Sequence, residues 1–306
     1  MAKVLMKGNE AIGEAAIKAG CLNYFAYPIT PQTEVAEYLC RRLPEENGVF
    51  LQAESEVAAS YMLFGAAGAG ERVFTTSSSP GISLMGEAIS YMAGAQLPAV
   101  LVNIMRGGPG LGGILPAQGD YFQATKGGGH GDYRLLTLAP ASVQEAVEMV
   151  MEAFTLAEKY RNPVMILGDG MLGQMMEPVE FPEGLTTAPS NKDEWATNGM
   201  GNRNSNKPNI VKSLFLTDTD LNENNLVLKA KYEEMKKHEI RYESYNTDGD
   251  YQLLLVSFGM MSRICKSAID DLKEEGIEIG LIRPQTLFPF PDEAIRQAVD
   301  KPSCKS

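Results

Sequence analysis

Two rhythms of apolar residues alternate along this chain. Short runs that are apolar almost throughout, such as Ala99 to Met105 and Val164 to Leu167, have the pattern of strands buried on both faces. Between them lie stretches in which apolar residues return every three or four positions, as on one side of a helix. Strands are predicted in those two runs and at Asn23 to Tyr27 and Val73 to Thr76. Helices are predicted from Gly8 to Ala19, with Asn9 and Gly20 as caps, and after Thr30, with Val35, Leu39 and Leu43 on one face. Others follow Ser55 and the turn Ser77-Ser78-Ser79-Pro80-Gly81, the latter with Ile82, Met85, Ile89 and Met92 on one face. Ser142 and Glu145 form a capping box that opens a helix to about Tyr160. Strand and helix alternate roughly every 25 to 30 residues up to about Pro178, which predicts an α/β domain with a doubly wound parallel sheet over residues 1–180.

The rhythm then breaks. Residues 181–250 are polar, with a concentration of asparagine between Asn191 and Asn209 and a charged helical piece from Asn222 to about His238, and predict a linker that carries a helix. From residue 251 to 306 a buried strand (Leu253 to Phe258), a helix and a second strand (Ile279 to Ile282) predict the start of another α/β domain. Too few strands follow to close a sheet, so the chain is expected to be shortened after Ser306.

Composition narrows the class. At 306 residues with 44% hydrophobic and 22% charged content, the chain is long enough for a sizeable core. Its longest strongly apolar run, Leu97 to Met105, is far short of the roughly 20 residues of a membrane span. The amino terminus lacks the apolar core of a signal peptide, so a cytoplasmic location is expected. A formal charge of -12 and a pI near 4.8 disfavour nucleic acid and anionic membranes as partners. Cys21, Cys40, Cys265 and Cys304 are too scattered for a metal site and are expected to be buried free thiols.

Candidate chemistry gathers where predicted strands end. In Tyr27-Pro28-Ile29-Thr30-Pro31, Thr30 falls at an expected helix N-cap and Pro31 at the first helical position, which places a hydroxyl at the positive end of a helix, where a carboxylate is well held. Glu56 follows Ser55 in the first helical turn, with Glu54 as its rival. Arg106 ends a buried strand ahead of a glycine-rich run, at the sheet edge where ligands of open α/β folds bind. It would either grip a carboxylate with two parallel hydrogen bonds or sit solvated. Lys126 and His130 lie in the run Lys126-Gly127-Gly128-Gly129-His130-Gly131-Asp132, either a ligand loop or a mobile surface loop. Gly65-Ala66-Ala67-Gly68-Ala69-Gly70 has the look of a dinucleotide fingerprint, but it closes a helix and precedes a strand, the reverse of what that motif requires.

Tyr27-Pro28-Ile29-Thr30-Pro31, Glu54-Ser55-Glu56-Val57-Ala58-Ala59, Thr75-Thr76-Ser77-Ser78-Ser79-Pro80-Gly81 and Leu281-Ile282-Arg283-Pro284 together resemble the 2-oxoacid:ferredoxin oxidoreductases, over nearly the whole chain. The likeness is to the alpha-type subunit of the 2-oxoisovalerate and 2-oxoglutarate enzymes, which carries the pyrimidine-binding domain for thiamine diphosphate. The resemblance implies that the last segment is similar to the transketolase C-terminal domain. It implies oxidative decarboxylation of a 2-oxo acid to an acyl-coenzyme A, with electrons passing to ferredoxin. The cofactor would be shared with a beta-type subunit holding the diphosphate and Mg2+, while iron–sulfur clusters would lie on another subunit.

By the same resemblance Glu56 would hydrogen-bond the pyrimidine ring, Tyr27, Pro28, Ile29 and Ser78 would line its pocket, and Thr30 and Arg106 would hold substrate, with Lys126 and His130 as further substrate contacts. Asp169, in Gly168-Asp169-Gly170, is similar to a magnesium–diphosphate motif without its asparagine pair and is expected to be structural. Met105, Leu111, Ile114 and Leu115 beside Arg106 favour a branched-chain acid; 2-oxoglutarate or pyruvate as substrate, a non-redox thiamine enzyme half and a purely scaffolding subunit are the alternatives.

Overall fold

The computed structural model describes residues 3–184, 192–199, 207–301 and 304. In chain order the elements begin with β1 (Val4–Lys7), α1 (Gly8–Lys18), β2 (Asn23–Ala26), α2 (Thr33–Glu45), β3 (Val49–Gln52), α3 (Glu56–Gly68), β4 (Val73–Ser77) and α4 (Ser79–Gly94). They continue with β5 (Ala99–Met105), α5 (Tyr121–Lys126), β6 (Leu136–Leu138), α6 (Val143–Tyr160), β7 (Pro163–Asp169), α7 (Gly170–Gln174) and β8 (Met176–Val179). The carboxyl-terminal part holds α8 (Asp218–His238), β9 (Tyr242–Tyr245), β10 (Leu253–Val256), α9 (Gly259–Glu274), β11 (Ile279–Pro284), β12 (Thr286–Phe288) and α10 (Asp292–Val299).

Seven strands form the main sheet in the order β12-β6-β7-β5-β4-β2-β3, and every pairing except β12 with β6 is parallel. β5 and β7, the two longest apolar runs, are buried along their whole length and occupy the middle. Helices cover both faces, as the two-sided burial of these strands requires. The side chains of α1, α2 and α6 share one apolar layer, and those of α3 and α4 share the other. β2 pairs with β3 on one side and with β4 on the other. The winding therefore reverses between β2 and β4, which opens a crevice at their C-terminal ends.

The polar middle of the chain is anchored. Trp195 and Ala196 are buried in the α3–α4 layer, and the Thr197 amide donates to the Gly68 carbonyl at 2.8 Å. α8 buries Leu228 and Met235. β9 pairs antiparallel with β11, which also pairs parallel with β10 in a second, three-stranded sheet. Arg283 of β11 is 2% exposed and forms a two-pronged pair with Glu145 of α6 (2.8 and 2.6 Å), while its Nε lies 2.8 Å from Glu243 of β9. Immediately after this anchor the chain re-enters the large sheet as β12.

Three expectations fail for identifiable reasons. α2 starts at Thr33 rather than after Thr30, and neither Thr30 nor Pro31 occupies a cap. The carbonyl of Pro31 is taken by the Asn9 side chain at 2.8 Å, and Gln32, wholly buried, is drawn toward the sheet by Thr76, so these residues are committed before a helix begins. Asn9 is not a cap but lies inside the first turn of α1, since its amide is spent on Pro31 and on Glu34. Among the cysteines only Cys21 is buried, and burial pushes its thiol up to about 12; Cys40 is exposed.

Candidate active site

The loop between β2 and α2 is held through its own backbone. Gln32 Nε2 donates to the Tyr27 carbonyl at 3.3 Å and the Gln32 amide to the Ile29 carbonyl at 3.0 Å. Arg106 Nη1 donates to the Thr30 carbonyl at 2.9 Å, and Asn9 to that of Pro31. Gln32 Oε1 in turn accepts from the Thr76 hydroxyl, which also bonds Tyr24 at 2.7 Å. Gln32, Arg106, Asn9 and Thr76 are all buried, so the loop is fixed to β4 and to the end of β5. Thr30 itself is exposed, and its hydroxyl has no partner among the described residues.

Glu56 opens α3 directly after Ser55, whose hydroxyl accepts from the Ala58 amide at 3.1 Å as the sequence predicts. Its side chain is buried, with 6% of the residue exposed, yet it makes no hydrogen bond among the described residues. It lies against Gly81 in the first turn of α4, where an added Cβ would come within 2.9 Å of Glu56 Oε1 and 2.0 Å of Ser77 Oγ. Thr75 Oγ1, Ser77 Oγ and Ser78 Oγ, at the end of β4, are likewise buried without partners. A carboxylate and hydroxyls left unspent at one sheet edge suit a polar ligand, since such groups are otherwise costly to bury. Gly81→Ala is expected to cost about 1–3 kcal/mol by overpacking. Ser77 can rotate away but Glu56 must also move, and thermal unfolding of the variant tests this.

Arg106 follows β5 and is buried. Its Nη2 donates to the Leu111 carbonyl at 3.0 Å, so it ties the glycine-rich loop to Thr30, while its Nε is buried without a partner. The Arg106 amide donates to Ser79 Oγ at 3.1 Å, and that hydroxyl donates to Asp120 Oδ2 at 2.6 Å. Asn103 completes this knot, accepting from the Ser79 amide at 3.0 Å and donating to Asp120 at 2.9 Å. Gln32, Asn103 and Asp120 were not singled out from the sequence. Asn103 alone left a signal, as the polar residue inside an otherwise apolar strand run; nothing local marks Gln32 or Asp120.

Gly170 is where three loops converge: a Cβ there would meet Pro31 Cγ at 3.1 Å and Pro116 Cγ at 3.3 Å. Asp169 caps α7, accepting from the Met171 and Leu172 amides at 3.0 Å each. Burial pushes its carboxyl up, and the Leu172 amide, Gln118 and the Met171 amide offset this only in part.

The crevice thus brings Glu56, Ser78, Arg106 and the Tyr27-Pro28-Ile29-Thr30 loop together around the C-terminal ends of β2, β4 and β5. Tyr27 is exposed, with Pro28 and Ile29 half-buried. Of the apolar residues beside Arg106, Met105 is buried in the strand, whereas Leu111, Ile114 and Leu115 are exposed on the loop. Lys126 and His130 lie elsewhere. His130 stacks edge-on against Tyr91 near the C-terminal end of α4, and its carbonyl accepts from Ser90 at 2.7 Å. Lys126 lines a separate cleft beside α8 and β12.

Residues 14–244 match the family described as pyruvate flavodoxin/ferredoxin oxidoreductase, thiamine diphosphate-binding, and residues 252–304 match the pyruvate:ferredoxin oxidoreductase core domain II. The chain is 51% identical to the ketoisovalerate oxidoreductase subunit VorB of Methanothermobacter thermautotrophicus, over 98% of this chain and 84% of that protein. It is 38% identical to the 2-oxoglutarate synthase subunit KorA of Archaeoglobus fulgidus, over 96% of this chain and 84% of the relative. Its fold is similar to that of the 2-oxoglutarate:ferredoxin oxidoreductase of Magnetococcus marinus, solved with 2-oxoglutarate, coenzyme A and succinyl-CoA bound. That likeness has a TM-score of 0.88 at 26% identity and covers all of this chain and 57% of the solved one.

Proposed function

The chain belongs to the 2-oxoacid:ferredoxin oxidoreductase family, as a subunit with its thiamine diphosphate-binding domain, and from that premise we propose that it supplies the pyrimidine half of a shared site acting on branched-chain 2-oxo acids. One observation carries the reading: the buried, unspent carboxylate of Glu56 beside the unpartnered hydroxyls at the end of β4.

Thiamine diphosphate, when bound, supplies the carbon nucleophile and electron sink that decarboxylation of a 2-oxo acid requires. Glu56 would share its proton with the edge of the pyrimidine ring, in a crevice where α4 excludes water from one side. Ser78, with Tyr27, Pro28 and Ile29, would line the same pocket. Arg106 spends two of its five N–H groups on the Thr30 and Leu111 carbonyls; the remaining three, Nε among them, are available to a carboxylate. The Thr30 hydroxyl would take the substrate's second oxygen. Coenzyme A is the acyl acceptor. Mg2+ with the diphosphate, and the iron–sulfur clusters, belong in this reading to a beta-type subunit and an iron–sulfur subunit. An acidic chain of charge -12 repels acidic ferredoxins, which favours electron exit through that other subunit.

Two features favour a branched-chain substrate over 2-oxoglutarate. Leu111, Ile114 and Leu115 line the Arg106 loop, and Lys126, the candidate second cation for a dicarboxylate, lies outside the crevice. The VorB relative, named for ketoisovalerate, is also more similar than the KorA relative. The assembled enzyme is expected to reduce viologen with coenzyme A severalfold faster with 2-oxoisovalerate than with 2-oxoglutarate or pyruvate at equal concentration. A preference for 2-oxoglutarate would overturn the substrate reading, and an assembly without iron–sulfur absorbance would favour a non-redox thiamine enzyme.

A further inference from the structure

Asp120 stands directly before α5 and does not do what an aspartate usually does there. An N-cap carboxylate ordinarily accepts from the first amides of its own helix, yet the Asp120 side chain makes no such bond. Its Oδ2 instead accepts from two other elements, from Ser79 Oγ at 2.6 Å and from Asn103 Nδ2 at 2.9 Å. The other oxygen has no partner among the described residues.

The bonds of Ser79 give this arrangement a direction. A hydroxyl has a single proton to give. Within reach of Ser79 Oγ lie Asp120 Oδ2 at 2.6 Å and the Arg106 carbonyl at 3.4 Å, and the short bond to a carboxylate takes the proton. The Ser79 oxygen is thereby left as an acceptor for the Arg106 amide, at 3.1 Å. Asp120 decides which way the Ser79 hydroxyl points, and that hydroxyl holds the peptide from which the Arg106 side chain springs.

The carboxylate is itself braced from behind. Arg106 and Pro116 form an antiparallel bridge, and the Gly107 amide donates to the Leu115 carbonyl at 3.1 Å, so the chain that leaves at Arg106 returns beside it. Farther along, Gln118 Nε2 donates to the Phe258 carbonyl at 3.0 Å, and the Tyr121 ring lies 6.0 Å from Phe258 and 6.4 Å from Phe290. Asp120 therefore reaches Ser79 from a segment already anchored on the second domain.

We propose that Asp120 is a positioning residue for substrate capture: through the Ser79 hydroxyl it fixes the backbone at Arg106 and so aims the guanidinium at the carboxylate of the 2-oxo acid. The assignment rests on the role given above to Arg106. A guanidinium that grips a carboxylate with parallel bonds is demanding in direction, and a displacement of about 1 Å in such a clamp costs up to about two orders of magnitude. The pyrimidine side of the crevice is held separately, because the Ser79 amide donates to Asn103 Oδ1 at 3.0 Å, a bond in which Asp120 takes no part. Loss of the carboxylate is felt at the substrate and not at the cofactor.

The test uses the assembly with its partner subunits. In Asp120→Ala the Ser79 proton turns to the Arg106 carbonyl and the Arg106 amide loses its acceptor. KM for 2-oxoisovalerate is expected to rise about tenfold. KM for coenzyme A and the half-saturating concentration of thiamine diphosphate should stay within about twofold of the unmodified enzyme, a separation that a general loss of stability does not produce. Asp120→Asn should restore KM, since its amide oxygen replaces Oδ2 and its NH2 falls where the carboxylate oxygen has no partner. Ser79→Ala breaks the same link from the other end and carries the same prediction by itself. Combined with Asp120→Ala it should raise KM no further than either change alone. Additive effects, equal rises in all three constants, or an Asp120→Asn enzyme as impaired as Asp120→Ala would overturn the assignment. Hydrogen exchange of the peptide containing Arg106 is read without turnover and should be slow in the unmodified and Asp120→Asn proteins and about tenfold faster in Asp120→Ala. An assembly inert toward every 2-oxo acid would sink the proposed function while that exchange pattern still upheld the link from Asp120 to Arg106; unchanged exchange in Asp120→Ala would break the link.

Discussion

Glu56→Gln is expected to lower turnover of the assembled enzyme by about two to four orders of magnitude, the range lost when a positioned acid or base is removed. Gln fills the same volume and keeps a polar head beside Gly81, so packing of α3 on α4 should survive and the subunits should still assemble. What is lost is the capacity to share a proton. Glu54→Gln is the matched control: that carboxylate is exposed, two residues away, and its loss should leave turnover near that of the unmodified enzyme. Single-turnover measurements with saturating cofactor would separate failed chemistry from failed binding. Wild-type turnover in a fully assembled Glu56→Gln enzyme would falsify the role given to this residue and leave the chain a scaffold.

The second large effect is on stability. Arg72, just before β4, and Glu158, in α6, are both buried and joined by two hydrogen bonds of 2.7 and 3.0 Å, and Arg72 also donates to the Ala19 carbonyl at 2.6 Å. Glu158→Ala strands the guanidinium without its counter-charge and is expected to cost about 3–5 kcal/mol, read as a fall in the unfolding midpoint of the assembly. The pair lies at the sheet edge opposite the crevice, so turnover below the new midpoint should hardly change. Replacing both partners, Arg72→Met with Glu158→Leu, should recover most of the loss, because the penalty comes from the orphaned charge rather than from a large net gain of the pair. Equal destabilisation in the single and double variants would argue against that account.

Much of the architecture could be read from periodicity. The runs at Ala99 to Met105 and Val164 to Leu167 form two central strands because, Asn103 apart, they are apolar throughout, and Ser55 and Ser142 cap their helices because their partners lie three residues away. Signals of that kind are local. Thr30 and Asn9 misled for the opposite reason: each has the right chemistry for a cap, but distant groups settle its neighbourhood, Pro31 being claimed by Asn9 and Gln32 by Thr76. The return of β12 to the large sheet is equally hidden, since both its pairing with β6 and the Arg283–Glu145 anchor just before it join residues more than 130 positions apart. Within the crevice, residues at strand exits were recognisable by their position and by family likeness. Asp120 and Gln32, which act only through what they touch, were not.

The backbone clamps on the Tyr27 to Pro31 loop bear on the thermodynamics of ligand capture. A segment whose carbonyls are already engaged has little conformational entropy left to surrender when a ligand arrives, so more of the contact energy remains for affinity and for transition-state stabilisation. The Gln32 amide, which donates to the Ile29 carbonyl, should exchange with deuterium about as slowly before ligand is added as afterwards, and loosening Gln32 should weaken substrate capture through disorder in the empty protein rather than through any lost contact.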